Sequence, residues 1–145
     1  MKIDSVEFRV AVLPALVALK VLAYLERRPG ETRDIADAYR LLVEEDALFD
    51  LQSMEFDEAI IARLGDGDPS LAEMGSYSVG RTVGKILTES ELDSIAVLCA
   101  EAKSDDSMVV PDIQRGNGTL AGPRDNVLRV LRAFYKGMED AGLSR

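Results

Sequence analysis

Lys20 stands where a charge is hardest to accommodate. It is the only charged residue between Val10 and Leu25, in a stretch that is otherwise apolar. An ammonium there must find a counter-charge, reach water or serve a ligand, because an unpaired buried charge is costly. Downstream, Arg33-Asp34-Ile35-Ala36-Asp37 opens what reads as the next helix, and Asp34 and Asp37, three apart, share a face of it. Counted back from the turn at about 1.5 Å per residue, Lys20 lies about 12 Å below it and Asp37 about 7–8 Å, an offset that a lysine side chain can close. Two readings follow. In one, a buried Lys20–Asp37 pair fixes the register of two helices. In the other, a cation and two carboxylates converge on a phosphate-bearing ligand, with Arg28 and Arg33 nearby. Of the remaining charged residues, Arg81 and Lys85 form an i, i+4 pair beside Gly80 and Gly84, a solvated face whose glycines allow close backbone approach. Arg124, Arg129, Arg132 and Lys136 read as the solvated side of the last helix, and Glu44, Glu45 and Asp46 as surface charge closing the second.

Composition removes several chemistries. The chain has no histidine and one cysteine, Cys99, which excludes histidine-based zinc sites, Ser-His-Asp triads, Cys-His pairs and an internal disulfide. There is no P-loop, no glycine-rich dinucleotide fingerprint and no cysteine cluster. A net charge of −9, from 26 acidic against 17 basic residues, repels phosphate backbones at long range and argues against bulk nucleic-acid binding. The longest apolar run, Val10 to Leu19, is too short to cross a bilayer and is broken by Pro14. Acidic residues precede it and no small-residue cleavage site follows, so it does not read as a signal peptide. The expectation is a cytoplasmic protein in a reducing compartment, with no membrane association.

The elements that would position Lys20 are mainly helical. The expected fold is a mainly α multi-helix bundle with one short N-terminal β strand or hairpin, a single helical domain over 1–145. In residues 5–12, Val6, Phe8, Val10 and Val12 alternate with Glu7, Arg9 and Ala11, the period of a half-buried strand, so 1–13 is read as a β segment. Pro14 then opens a helix at its first turn, apolar nearly all round and therefore buried, ended by Pro29-Gly30. Thr32 caps a second helix, and 14–48 forms a helical hairpin. Residues 57–64 suit a short helix. Asp68 as cap and Pro69 at the first position start a helix pair over 69–102, with Leu71, Met74, Val79, Val83 and Ile86 turned inward. Thr88 and Glu91 form a capping-box pattern within it. The polar, glycine-rich 103–122 reads as a mobile loop, and 123–141 as the C-terminal helix. A lone strand cannot satisfy its own backbone groups. Residues 5–12 therefore ask for a partner: a second copy of the chain, another protein, or a sheet once covalently attached upstream; a non-catalytic interaction module is the alternative reading of the whole chain.

The segment from Phe8 to Ala23 resembles the strand and following helix, with an L-K-x-x-A core, of bacterial nucleotidyltransferases of the abortive-infection (AbiEii-type) toxin family from type IV toxin–antitoxin systems. Arg28 and Arg33-Asp34-Ile35-Ala36-Asp37 match that family's R…(K/R)-D-x-x-D element. Val79-Gly80-Arg81 is similar to its L-G-R-D stretch, and Leu131 to Met138 to a closing L-x-A-F-x-x-G. The resemblance implies nucleotidyl transfer using magnesium and a nucleoside triphosphate. It places Lys20 and Asp34, with Asp37 beside them, in the active site, and assigns Arg28, Arg33 and Arg81 to substrate binding. A lysine suits triphosphate oxygens as a compact charge on a flexible stem. The family's metal-binding G-S-x-x-x-x-D-x-D element is not matched: the only Gly-Ser pair, Gly75-Ser76, is followed by no D-x-D. The expectation is thus a truncated, helical C-terminal portion of such an enzyme, with no metal or cofactor held by this chain and no catalysis by the isolated chain.

Overall fold

The structure is a computed structural model that describes residues 2–28, 30–44, 58–65 and 69–143, with residues 2–12, 58–60 and 143 by their backbone alone. The helices are α1 (Lys2–Arg27), α2 (Arg33–Val43), α3 (Glu58–Leu64), α4 (Leu71–Ile86), α5 (Glu89–Glu101), α6 (Val109–Asn117) and α7 (Arg124–Leu143), with a 3-10 turn at Gly118–Leu120 before α7. The chain is mainly helical, and among the described residues there is no strand.

The expected β segment at 1–13 is the largest correction. Residues 2–13 belong to α1, which runs 26 residues without a break. The alternation of Val6, Phe8, Val10 and Val12 coexists with a helical spacing, since Ile3, Val6, Val10, Leu13 and Val17 recur at steps of three and four. With no second strand among the described residues to pair with, the helix is the solution that satisfies the backbone within the segment. Pro14 accordingly lies inside the helix rather than at its first turn, fully buried, where it has no amide to give to residue 10. A strand edge at residues 5–12 for a partner or a second copy therefore does not form. Nor is α1 buried all round: Leu13, Val17, Val21 and Tyr24 are in the core, but Leu16 and Leu19 are exposed, Leu19 by 65%.

The α1–α2 hairpin forms over the described part of 14–48, and its last residues, 45–48, lie outside the described set. Thr32 occupies the cap position of α2 without making a side-chain cap bond. Helix α4 starts two residues later than expected, at Leu71, capped by the reciprocal box of Ser70 and Glu73; the expected cap Asp68 lies outside the described residues. Met74, Val79 and Val83 are buried as expected, but Leu71 and Ile86 at the helix ends are exposed. The Thr88–Glu91 capping box is present. Within 103–122, expected to be loop, α6 forms instead. Val109, Val110 and Ile113 bury one side of it, Pro111 falls in its first turn where an absent N–H is harmless, and Gly118 and Gly122 take positive φ to leave it.

The core runs through Val17, Val21 and Tyr24 of α1, Ile35, Tyr39 and Leu42 of α2, Val79 and Val83 of α4, Ile95 and Leu98 of α5, Val109 and Ile113 of α6, and Val127 and Phe134 of α7. The most extensive packing joins α4 to α7. Gly80 of α4 faces the Phe134 carbonyl and Gly137 of α7 faces the Tyr77 carbonyl so closely that a Cβ on either would overlap the opposing backbone. Gly84 is similarly pressed, with Ala141 Cβ 2.6 Å from where its own Cβ would be. The motif fragments around Val79-Gly80-Arg81 and Gly137 are thus the contact surface of this helix pair.

Candidate functional site

The α1–α2 hairpin brings Lys20 to both aspartates. Its Nζ lies 3.1 Å from Asp37 Oδ2 and 3.5 Å from Asp34 Oδ1. The second oxygen of Asp34 accepts from Arg27 Nη1 at 3.3 Å. Position 20 pairs with 37 and 27 with 34, as two antiparallel helices require. The hydrogen bond to Asp37, together with the charges of Asp37 and Asp34, holds the Lys20 ammonium protonated above the ordinary lysine range, against a counter-effect of burial. Lys20 keeps 31% of its side chain accessible and Asp37 28%, whereas Asp34 retains 11%. The cluster therefore opens to solvent on the Asp37 side.

Asp37 also lines an open cleft of about 470 Å³ between α2 and α6. Its walls are Gly30 to Arg33, Ala36, Asp37 and Arg40 on one side and Asp112, Arg115 and Gly116 on the other. Arg33, Asp37 and Arg40 follow i, i+4, i+7 spacing and so share one face of α2. The Arg40 guanidinium is anchored across the cleft, Nη2 donating to Gly116 O at 3.1 Å and Nε to Asn117 Oδ1 at 3.4 Å. Asn117 in turn donates to Ala36 O at 3.0 Å, and Gly116 is pressed against Ala36 where no Cβ would fit. Behind the cleft, Tyr24 donates to the buried Asp112 Oδ2 at 2.8 Å, while Arg115 Nη1 lies 3.5 Å from Asp112 Oδ1. Burial, then the hydrogen bond to Asp112 and its charge, push the Tyr24 phenol up to about 12.

Sequence reasoning singles out Lys20, Asp34, Asp37, Arg28, Arg33 and Arg81. The first three meet directly, and of them Arg33 shares the cleft with Asp37 alone, without a hydrogen bond or ion pair among the described residues. Arg28 turns away: it bonds Glu101 at 2.8 Å and lies over the Tyr24 ring. Arg81 belongs to a different place. It is on α4, where its charge acts on Tyr77 and Asp140, and its buried Nε has no hydrogen-bond partner among the described residues. Arg27, Arg40, Asp112 and Arg115 escape sequence reasoning. Arg40 carries a signal in its spacing from Arg33 and Asp37; Arg115 and Asp112 do not, because only the docking of α6 brings them here.

Magnesium does not fit this cluster. Asp34 is held by Lys20 and Arg27 and Asp37 by Lys20, and among the described residues no group of three or more acidic or thiol side chains could hold a metal ion. What the site offers is mixed charge: guanidinium groups for an anion and carboxylates for hydroxyl or amine donors. No protein-family model, curated protein or solved structure matches the chain.

Proposed function

We propose that this chain binds a nucleotide, as the helical C-terminal portion of an AbiEii-like nucleotidyltransferase would, and that it does not itself carry the transfer chemistry. The observation that carries this reading is the Lys20–Asp34–Asp37 cluster, with Asp37 forming part of the wall of a cleft that is lined by both arginines and carboxylates. A purely anionic ligand would engage the arginines but leave the Asp37 carboxylate without a donor from the ligand, and a purely cationic one would be repelled by Arg33 and Arg40. A nucleotide presents phosphate oxygens and donor hydroxyl or amino groups together, and so meets both signs. Lys20 positions Asp37 and neutralises it, which lowers the repulsion that phosphate would meet at that wall.

The test is a thermal-shift and calorimetric titration with the four ribonucleoside triphosphates. At least one should raise the melting temperature by several degrees when present at about 100-fold its Kd, and Asp37→Asn should abolish the shift. No change with any nucleotide at millimolar concentration overturns the proposal.

A second reading is favoured by the mutual satisfaction of Lys20, Asp34 and Arg27: the cluster acts as a clamp that sets the α1–α2 register and has no ligand. It is distinguished by the same titration, since a clamp leaves the wild-type melting temperature indifferent to nucleotide.

A further inference from the structure

Arg40 shares the α2 face of Arg33 and Asp37 by spacing and Arg115 is singled out by none, yet both guanidinium groups line the cleft together with Arg33. They do so in a chain of net charge −9, where three arginines around one opening are not the background condition. The acidic residues in the cleft are largely answered from behind. Asp37 is paired with Lys20 at 3.1 Å, and Asp112 accepts from Tyr24 at 2.8 Å and faces Arg115. Glu31 stands among the cleft residues as an exposed carboxylate with no ion pair among the described residues. Arg33 likewise has no partner among the described residues, and the Arg115 side chain is 64% accessible, with its approach to Asp112 stretched to 3.5 Å. Arg40, in contrast, is already held by Gly116 O and Asn117 Oδ1, so little of its rotamer freedom remains to be given up when a ligand arrives.

From this we infer that the cleft between α2 and α6 is the seat of a ligand's phosphate chain, a di- or triphosphate, gripped by Arg33 and Arg115 from opposite walls with the pre-set Arg40 lining the same opening. Guanidinium groups are suited to this because their planar fork matches two phosphate oxygens at once. The close approach of Gly116 to Ala36 draws the two walls together, so that arginines on separate helices, far apart in sequence, address one ligand. The assignment rests on the nucleotide reading for the rest of the ligand, but the phosphate part can be tested apart from it.

The probe is inorganic tripolyphosphate, titrated by calorimetry into the full chain without added metal. Wild type should bind it, and binding should weaken as salt is raised. Arg33→Gln and Arg115→Gln remove exposed side chains and leave the circular-dichroism melt in place. Each should weaken binding about tenfold and the double variant about a hundredfold, because each arginine supplies one charge-assisted hydrogen-bonding interaction with the phosphate chain. Lys85→Gln, an exposed lysine on α4, should change nothing. Absence of tripolyphosphate binding, or binding undiminished in the double variant, overturns the inference. If tripolyphosphate binds through the arginines but no nucleoside triphosphate binds more tightly, the phosphate seat stands and the nucleotide reading falls. If a nucleotide binds and is indifferent to both substitutions, the nucleotide reading stands and the phosphate seat falls.

Discussion

Removing the Lys20 ammonium would leave two carboxylates side by side on one helix face, Asp34 with Arg27 as its remaining cation and Asp37 with no ion pair among the described residues. Lys20→Met should cost about 1–3 kcal/mol in urea denaturation, between the values for exposed and for buried pairs. The pH dependence carries the same signature. Because the folded-state pKa of Lys20 is raised, its stabilisation is fully present below the ordinary lysine pKa and is lost as pH climbs through the raised value. Tyr24 and Tyr77, each pushed up to about 12, lose stability in the same alkaline direction, so the informative quantity is the difference between wild type and Lys20→Met. That difference should be constant from neutral pH to about 10 and shrink above it, in the range where lysines titrate. A difference that is zero at neutral pH would mean that the pair contributes nothing to folding. The need for a partner is readable from Lys20 alone, since a charge amid apolar residues must be answered. The identity of that partner is readable from helix rise, because both members lie on one hairpin. Arg28 shows the limit: adjacent in sequence to Arg27, it points to another helix, and one residue of rotation, about 100°, decides between them.

At the scale of elements, α4 and α7 depend on bare backbone where they meet. Gly137→Ala would drive a Cβ into the Tyr77 carbonyl and should destabilise by about 1–3 kcal/mol or more, the cost of overpacking less the gain in helix propensity. Gly142→Ala, in the same helix but with open space where its Cβ would go, should stabilise by about 0.5–1 kcal/mol through propensity alone. Opposite signs in the two thermal melts identify the crossing; equal signs would show that it yields. The misread elements share a cause. Residues 5–12 satisfy period two and, with Leu13 and Val17, a helical period as well, and periodicity by itself does not choose between them. Residues 103–122 look like loop because glycine and polar residues dominate, yet three buried apolar side chains and a proline in the first turn suffice for α6. Propensity is a weak prior where tertiary packing supplies the stabilisation.

For the molecule as a whole, Cys99 offers a probe. Burial among the core helices pushes its thiol up to about 12, so at neutral to mildly alkaline pH it should be inert to thiol reagents in the folded state. Labelling should then follow the unfolded fraction across a urea titration, in step with circular dichroism. Rapid labelling in the absence of denaturant would show that α5 and α7 separate on their own. Among the described residues no helix is long and apolar enough to cross a membrane.

Features set by the chain locally can be read without coordinates: the helical composition, the hairpin after Pro29-Gly30, the Thr88–Glu91 box, the pairing demand of Lys20, and the chemistries that an absence of histidine excludes. Each depends on residues within a few turns of one another or on composition. Three matters waited for the tertiary structure: that α1 begins at Lys2, that Leu19 faces water, and that Arg33 and Arg40 share a cleft with Arg115. The last depends on pairings such as Arg40 with Gly116, 76 residues apart, which no local period encodes. Helix docking brings such groups together through the shapes of buried side chains distributed over the whole chain, and that information is not written in any one segment.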